Sequence, residues 1–148
     1  MDARFPPVFA CVVLLSLCGC GDSTAASATQ VASAETAFDV GRQAFQTGDF
    51  AAAETQLNAA VTAGTLQADL FESALVLLVR SRIAQGKLDD ADAGLKQLES
   101  TATAIDQYWV AMAELLLKKN DAAGARRAVQ EARKANPKAE LPGPLRTF

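Results

Sequence analysis

Three thiols, a triplet of carboxylates and a few well-spaced arginines are the side chains of this 148-residue chain that could do chemistry. Cys18 and Cys20 stand two positions apart behind an apolar run, with Cys11 inside it. That placement fits a membrane span, a disulfide pair or a site of cleavage. Asp89, Asp90 and Asp92 gather carboxylate oxygens, but they lack the glycine at the sixth place and the closing glutamate of a calcium loop. They fall in the first turn of an expected helix, where the backbone dipole favours negative charge. There is no histidine, which removes the commonest general base and the commonest metal ligand together. No glycine-rich phosphate cradle is present either, so the usual catalytic sets cannot be assembled. Neither an enzyme, a cofactor nor a bound metal is expected.

The thiols are best read through the segment that carries them. Arg4 and the terminal amine precede a stretch from Val8 to Cys18 that is apolar apart from Ser16. A bilayer span needs roughly 20 such residues, so this run is too short. A basic start, a short apolar core and small residues at its end describe a secretory signal. Leu17-Cys18-Gly19-Cys20 resembles the bacterial lipoprotein signal, in which leucine, a tolerated residue and a small residue precede the modified cysteine. The resemblance implies cleavage of residues 1–19 and lipidation of Cys20, anchoring the chain at a membrane of the cell envelope. Since one acyl chain binds membranes only marginally, stable anchoring takes several. Gly21 stands directly after Cys20, where an aspartate retains many such proteins at the inner membrane, so an outer-membrane location facing the periplasm is expected. Cleavage as an ordinary secretory signal near Gly21 or beyond is the alternative.

Behind Cys20, residues 20–32 are rich in Gly, Ser, Thr and Ala and show no apolar period, which predicts a flexible tether. The rest is alanine-rich, 50% apolar and only 6% aromatic, with few β-branched runs, and this predicts an all-α chain. An internal period then emerges. Thr47-Gly48-Asp49 breaks two helical patterns: Val40, Gly41, Ala44 and Phe45 share a side before it, and Phe50, Ala53, Leu57, Ala60 and Val61 share one after it. Gly86 repeats the break 38 positions later, followed by Leu88, Ala91, Leu95 and Leu98. Asn120-Asp121 repeats it after another 34, followed by Ala125, Val129 and Ala132, with Pro137 at the end.

This pattern resembles the tetratricopeptide repeat, a helix–turn–helix unit of about 34 residues. Gly41 stands at the family's small position in the first helix, and Phe50 at its aromatic position in the second. Trp109, Met112, Ala113 and Pro137 meet the family's positions in the third copy. The copies differ in fidelity: Ala37 and Ala44 under-fill the first, while Val79 and Arg82 depart from the pattern in the second. The resemblance implies units at 33–66, 69–102 and 104–137, stacked in a short right-handed superhelical solenoid of helix–turn–helix repeats. A lone unit cannot bury its apolar side, so stacking is obligatory. An unrelated antiparallel bundle is the competing architecture.

In that family the first helices of the units line a concave groove that binds proteins. Carried over, the groove residues are Phe38, Arg42 and Phe45 in the first unit, Val76, Arg80 and Ile83 in the second, and Val110 and Glu114 in the third. Arg42 and Arg80 occupy equivalent positions and together suit an anion; alternatively, Arg80 pairs with Glu114. The apolar members suit an amphipathic or extended segment, or else simply cover the edge of the core.

Charge is lopsided: residues 118–148 carry +5 and residues 20–117 carry −8. The basic end suits anionic lipid or an acidic partner, or is a solvated outer face. Nucleic acid is not expected outside the cytoplasm. Residues 138–148, with Pro142 and Pro144, cannot continue a helix. Leu141, Leu145 and Phe148 therefore either fold back as an irregular lid or leave the third unit open as an interface, with a homodimer as one outcome. The expected role is a membrane-anchored adaptor or assembly factor for a protein or peptide partner. A self-associating structural module is the alternative.

Overall fold

The computed structural model describes residues 23–148, with side chains described from residue 28; Cys20 and the signal segment 1–19 lie outside them. The described residues form α1 (Ser23–Thr47), α2 (Phe50–Ala63), α3 (Ala68–Ala84), α4 (Leu88–Thr101), α5 (Ile105–Lys118), α6 (Ala122–Ala135) and a 3-10 turn (Gly143–Leu145). No strand occurs among them. Each helix packs against its sequence neighbour, and α3 also touches both α1 and α5.

The three short breaks, α1–α2, α3–α4 and α5–α6, share one backbone solution. Gly48, Gly86 and Asn120 adopt positive φ (83°, 78° and 63°). In each break this residue's N–H donates to the carbonyl three positions back, and the next N–H donates to the carbonyl five back: Gly48 to Phe45 and Asp49 to Ala44, Gly86 to Ile83 and Lys87 to Arg82, Asn120 to Leu117 and Asp121 to Leu116. This left-handed helix ending satisfies carbonyls that would otherwise be orphaned. Asp49 and Asp121 then cap the following helices through Ala52 N (3.0 Å) and Gly124 N (2.8 Å).

Paired helices approach closely where one side supplies a glycine. A Cβ on Gly41 would lie 2.7 Å from Leu57 Cγ, so α1 and α2 meet glycine to leucine. In the next pair the sizes are exchanged. Val79 on α3 is fully buried, and a Cβ on Gly94 of α4 would lie 2.6 Å from its Cγ2. The valine that departs from the repeat pattern is thus matched by a glycine on the facing helix.

One differing element is the start of α1. The stretch expected as a tether is helical from Ser23 onward. Alanine favours helix intrinsically. Just beyond that stretch, Ser33 Oγ donates to Gln30 O (2.8 Å) and Thr36 Oγ1 to Ala32 O (2.7 Å) within the same helix. Thr65 Oγ1 also donates to Gln30 O (3.4 Å), tying the extension to the α2–α3 corner, and Ala34 is buried.

The core has two parts. Leu57, Leu75, Val79, Leu95 and Leu98 centre the first, which spans α1 to α5. Val110, Ala113, Val129, Ala132 and Leu145 make the second, between α5, α6 and the C-terminal tail. Trp109 and Met112 pack against both and join them. Val40, which shares a helical side with the core residues in the sequence pattern, is 48% exposed. Residues 136–148 therefore fold back as a lid, with Leu145 wholly buried, and the third pair's apolar side is not left open.

Candidate functional site

The C-terminal ends of α1, α3 and α5 lie side by side and enclose a cleft of about 360 Å³. Phe45, Phe50, Ile83, Ala84 and Leu117 give it an apolar lining, and Pro142, Pro144 and Leu145 of the tail form one wall. Phe45 and Phe50 meet edge to face across the first turn, with centroids 5.6 Å apart. Both rings stay half-buried, so apolar surface is held rigidly but not consumed.

Arg80 is the polar centre of this face. Its Nε and Nη2 donate to Glu114 Oε2 and Oε1 at 2.7 and 3.1 Å, a two-point grip between α3 and α5. The same guanidinium lies 5.3 Å from the Phe45 ring centroid, so α1, α3 and α5 are joined through one side chain. Arg80 also borders a second, more polar cleft with Val76, Asp106, Gln107, Val110, Asn136, Lys138 and Glu140. Asn136 Nδ2 donates to Asp106 Oδ2 (2.9 Å) there and fixes the end of α6 to the start of α5.

Phe45, Arg80, Ile83 and Glu114 thus line the first cleft, while Val76 and Val110 border the second. Ile83, Val76 and Val110 present only rims, because each is buried. Phe38 borders neither cleft; it is buried beneath Arg42, whose guanidinium stands 5.8 Å from its ring. The two arginines expected to share an anion have carboxylate partners within the chain: Arg42 bonds Asp39 on its own helix (2.8 Å) and Arg80 bonds Glu114. Compared with protein-family models, curated proteins and solved structures, the chain matches none.

Phe50, Ala84 and the tail prolines line the cleft although the carried-over groove positions did not include them. Phe50 reads as a core aromatic because its helix places it on the buried side; only its position at the first turn of α2 brings it to the cleft.

Two other carboxylates fasten the frame. Glu54 of α2 accepts from Arg82 Nε (3.2 Å), Gln85 Nε2 (2.9 Å) and Lys87 Nζ at the α3–α4 turn. Burial pushes this carboxyl up, but the hydrogen bonds from Lys87, Gln85 and Arg82 outweigh it and hold it below its ordinary range. Glu72, buried on α3, accepts from Thr103 N (3.0 Å), Thr103 Oγ1 (2.6 Å) and Ala104 N (2.7 Å) at the start of α5. Burial raises it and these three donors lower it, with a net downward shift. Of the aspartate triplet, Asp92 is engaged by Lys96 and Lys119 at 3.2 and 3.4 Å. Among the described residues no cluster of metal-binding side chains forms, and no helix is long and apolar enough to cross a membrane.

Proposed function

We propose that this chain is a short tetratricopeptide-type solenoid, anchored by lipid at Cys20 in a bacterial cell envelope, that serves as an adaptor for a protein or peptide partner. Three turns with one hydrogen-bond pattern, at spacings of 38 and 34 residues, support the repeat reading. So do the lateral contacts of α1 with α3 and of α3 with α5, which are the first helices of successive pairs. The right-handed superhelical sense is part of the proposal, as is the outer-membrane location that Gly21 suggests.

The observation that carries the adaptor reading is the apolar cleft at the ends of α1, α3 and α5. Its rings are preorganised by mutual packing and by Arg80, so a partner's apolar side chain can enter without ordering the site first. Extended or helical segments bind such grooves through a few apolar anchors. A photo-crosslinking residue at Ala84, which is exposed in the cleft, is expected to give a discrete adduct in native envelopes. The adduct should vanish when Phe45→Glu is added. The same residue at exposed Ala59 on α2 should not give it. Identical adducts from both positions, or an adduct indifferent to Phe45→Glu, would overturn the reading. Cys20→Ser should separately move the protein from the detergent phase to the aqueous phase in a phase-partition assay.

A further inference from the structure

The outer side of α6 carries a concentration of cations that the cleft does not use. At about 100° per residue, Arg126, Arg127, Gln130, Arg133 and Lys134 fall within one sector about 120° wide. Gly124, Ala125, Ala128, Val129 and Ala132 are buried on the opposite side. The cations therefore point straight out from the core, and all four are exposed. Glu131 is the only acid on the helix, and it engages Lys134 at 2.7 Å. The tail steadies two of the others: the Arg126 guanidinium stands 5.4 Å from the Phe148 ring, and Arg133 Nη1 donates to Phe148 O at 3.4 Å. Exposed Lys138 and Arg146 border one cleft with Arg133, as does the exposed acid Glu140.

We infer that this face docks on an anionic phospholipid bilayer. Charge complementarity decides for a surface over a single ligand, since the four α6 cations spread over two helical turns and only Arg133 of them borders a cleft, whose cations Lys138 and Arg146 are offset there by Glu140. The remainder of the chain matters as much. Residues 20–117 carry −8, so the whole molecule is repelled by a negative surface unless it presents α6. Juxtamembrane basic clusters are drawn to anionic headgroups in this manner, and the attraction is screened by salt. The inference rests on the membrane-anchored reading and gives the anchored protein an orientation, but its test does not depend on the acyl anchor at Cys20.

Full-length Cys20→Ser protein, which cannot be lipidated there, is sedimented with vesicles. One set is phosphatidylcholine alone, and the other contains about 30 mol% phosphatidylglycerol. A companion protein adds Arg126→Gln, Arg127→Gln, Arg133→Gln and Lys134→Gln. Since both carry the same N-terminal segment, any difference between them reads α6. Binding to anionic vesicles should exceed binding to neutral ones at about 50 mM salt, and the excess should vanish near 500 mM. The quadruple variant should lose the excess at least fivefold while keeping its helical circular dichroism. Equal binding to both vesicle types, or an excess that survives the four substitutions, overturns the inference. Binding to polyglutamate with no preference for anionic vesicles also overturns it, and assigns the face to an acidic polypeptide instead. Because Cys20 is absent throughout, failure of the anchor reading in the detergent-partition assay leaves this result intact.

Discussion

At the scale of single residues, the fit between helices depends on which partner gives up its side chain. Gly41 faces Leu57, whereas in the next pair Val79 faces Gly94. Alanine at Gly94 would gain about 1 kcal/mol in helix propensity. It would also place a Cβ 2.6 Å from Val79 Cγ2, inside a layer that includes fully buried Leu95 and Val79. Overpacking of this kind costs about 1–3 kcal/mol, so the contact should win and Gly94→Ala should destabilise. In a Val79→Ala background the obstructing methyl is gone, and the same substitution should become neutral or stabilising. A urea-denaturation double-mutant cycle reads this directly: coupling near zero would mean that the helices separate rather than resist. Val79 was visible in the sequence as a departure from the repeat pattern. Its compensation was not, because Gly94 lies one place from the position that the repeat alignment compares.

Elements are held in register by carboxylates that reach from one helix to the start or turn of another. Glu72 leaves α3 and receives two main-chain N–H groups and one hydroxyl where α5 begins. Its pKa is depressed in the folded chain, as is that of Glu54. A depressed carboxylate gives stability that is fully present above the unfolded pKa, about 4.3, and is lost as pH falls through the folded value. Melting temperature should therefore hold steady from pH 7 to about 5.5 and drop below about 5. Glu72→Gln should lower it at neutral pH, at a cost of about 1–3 kcal/mol for the weakened buried hydrogen bonds, and flatten the acid limb. An unchanged acid limb in Glu72→Gln and Glu54→Gln would show that these groups do not govern it. At this scale the sequence was most legible at the turns, because Gly48, Gly86 and Asn120 are residues that tolerate positive φ. It was least legible at residues 23–32. Serine, threonine and alanine read as a tether when only burial is considered, yet alanine's propensity favours the helix and Thr65 Oγ1 ties it down at Gln30 O. The cleft was half legible for a related reason. The repeat resemblance assigned Phe45, Arg80, Ile83 and Glu114 to one groove, but it could not say that Phe38 would be covered or that α2 and the tail would complete the walls.

For the molecule as a whole, the open question of any stacked set of helical pairs is how the last one ends. Every pair offers an apolar side to a successor, and an end without a cap exposes it. Here the successor is a segment with almost no regular structure. Pro142 and Pro144 bar an α-helix, yet Leu145 reaches complete burial among Val110, Ala113, Val129 and Ala132, helped by a 3-10 turn and by Arg146 Nε donating to Leu141 O (2.9 Å). Leu145→Ala should therefore behave as a core truncation and cost about 2–5 kcal/mol, far more than an exposed tail would allow. Deleting residues 139–148 should do something different in kind. It would bare the second core cluster, and the truncated chain should sediment as a larger species than the full chain at equal concentration, because an apolar side made for a neighbour will accept another copy. It should also lose one wall of the cleft, so the Ala84 adduct should weaken even at concentrations where the truncated chain is monomeric. Equal sedimentation together with an equal melting temperature would show that the tail merely rests on α5 and α6. The end of the stack would then be stable without a cap, and the cleft would belong to α1, α3 and α5 alone.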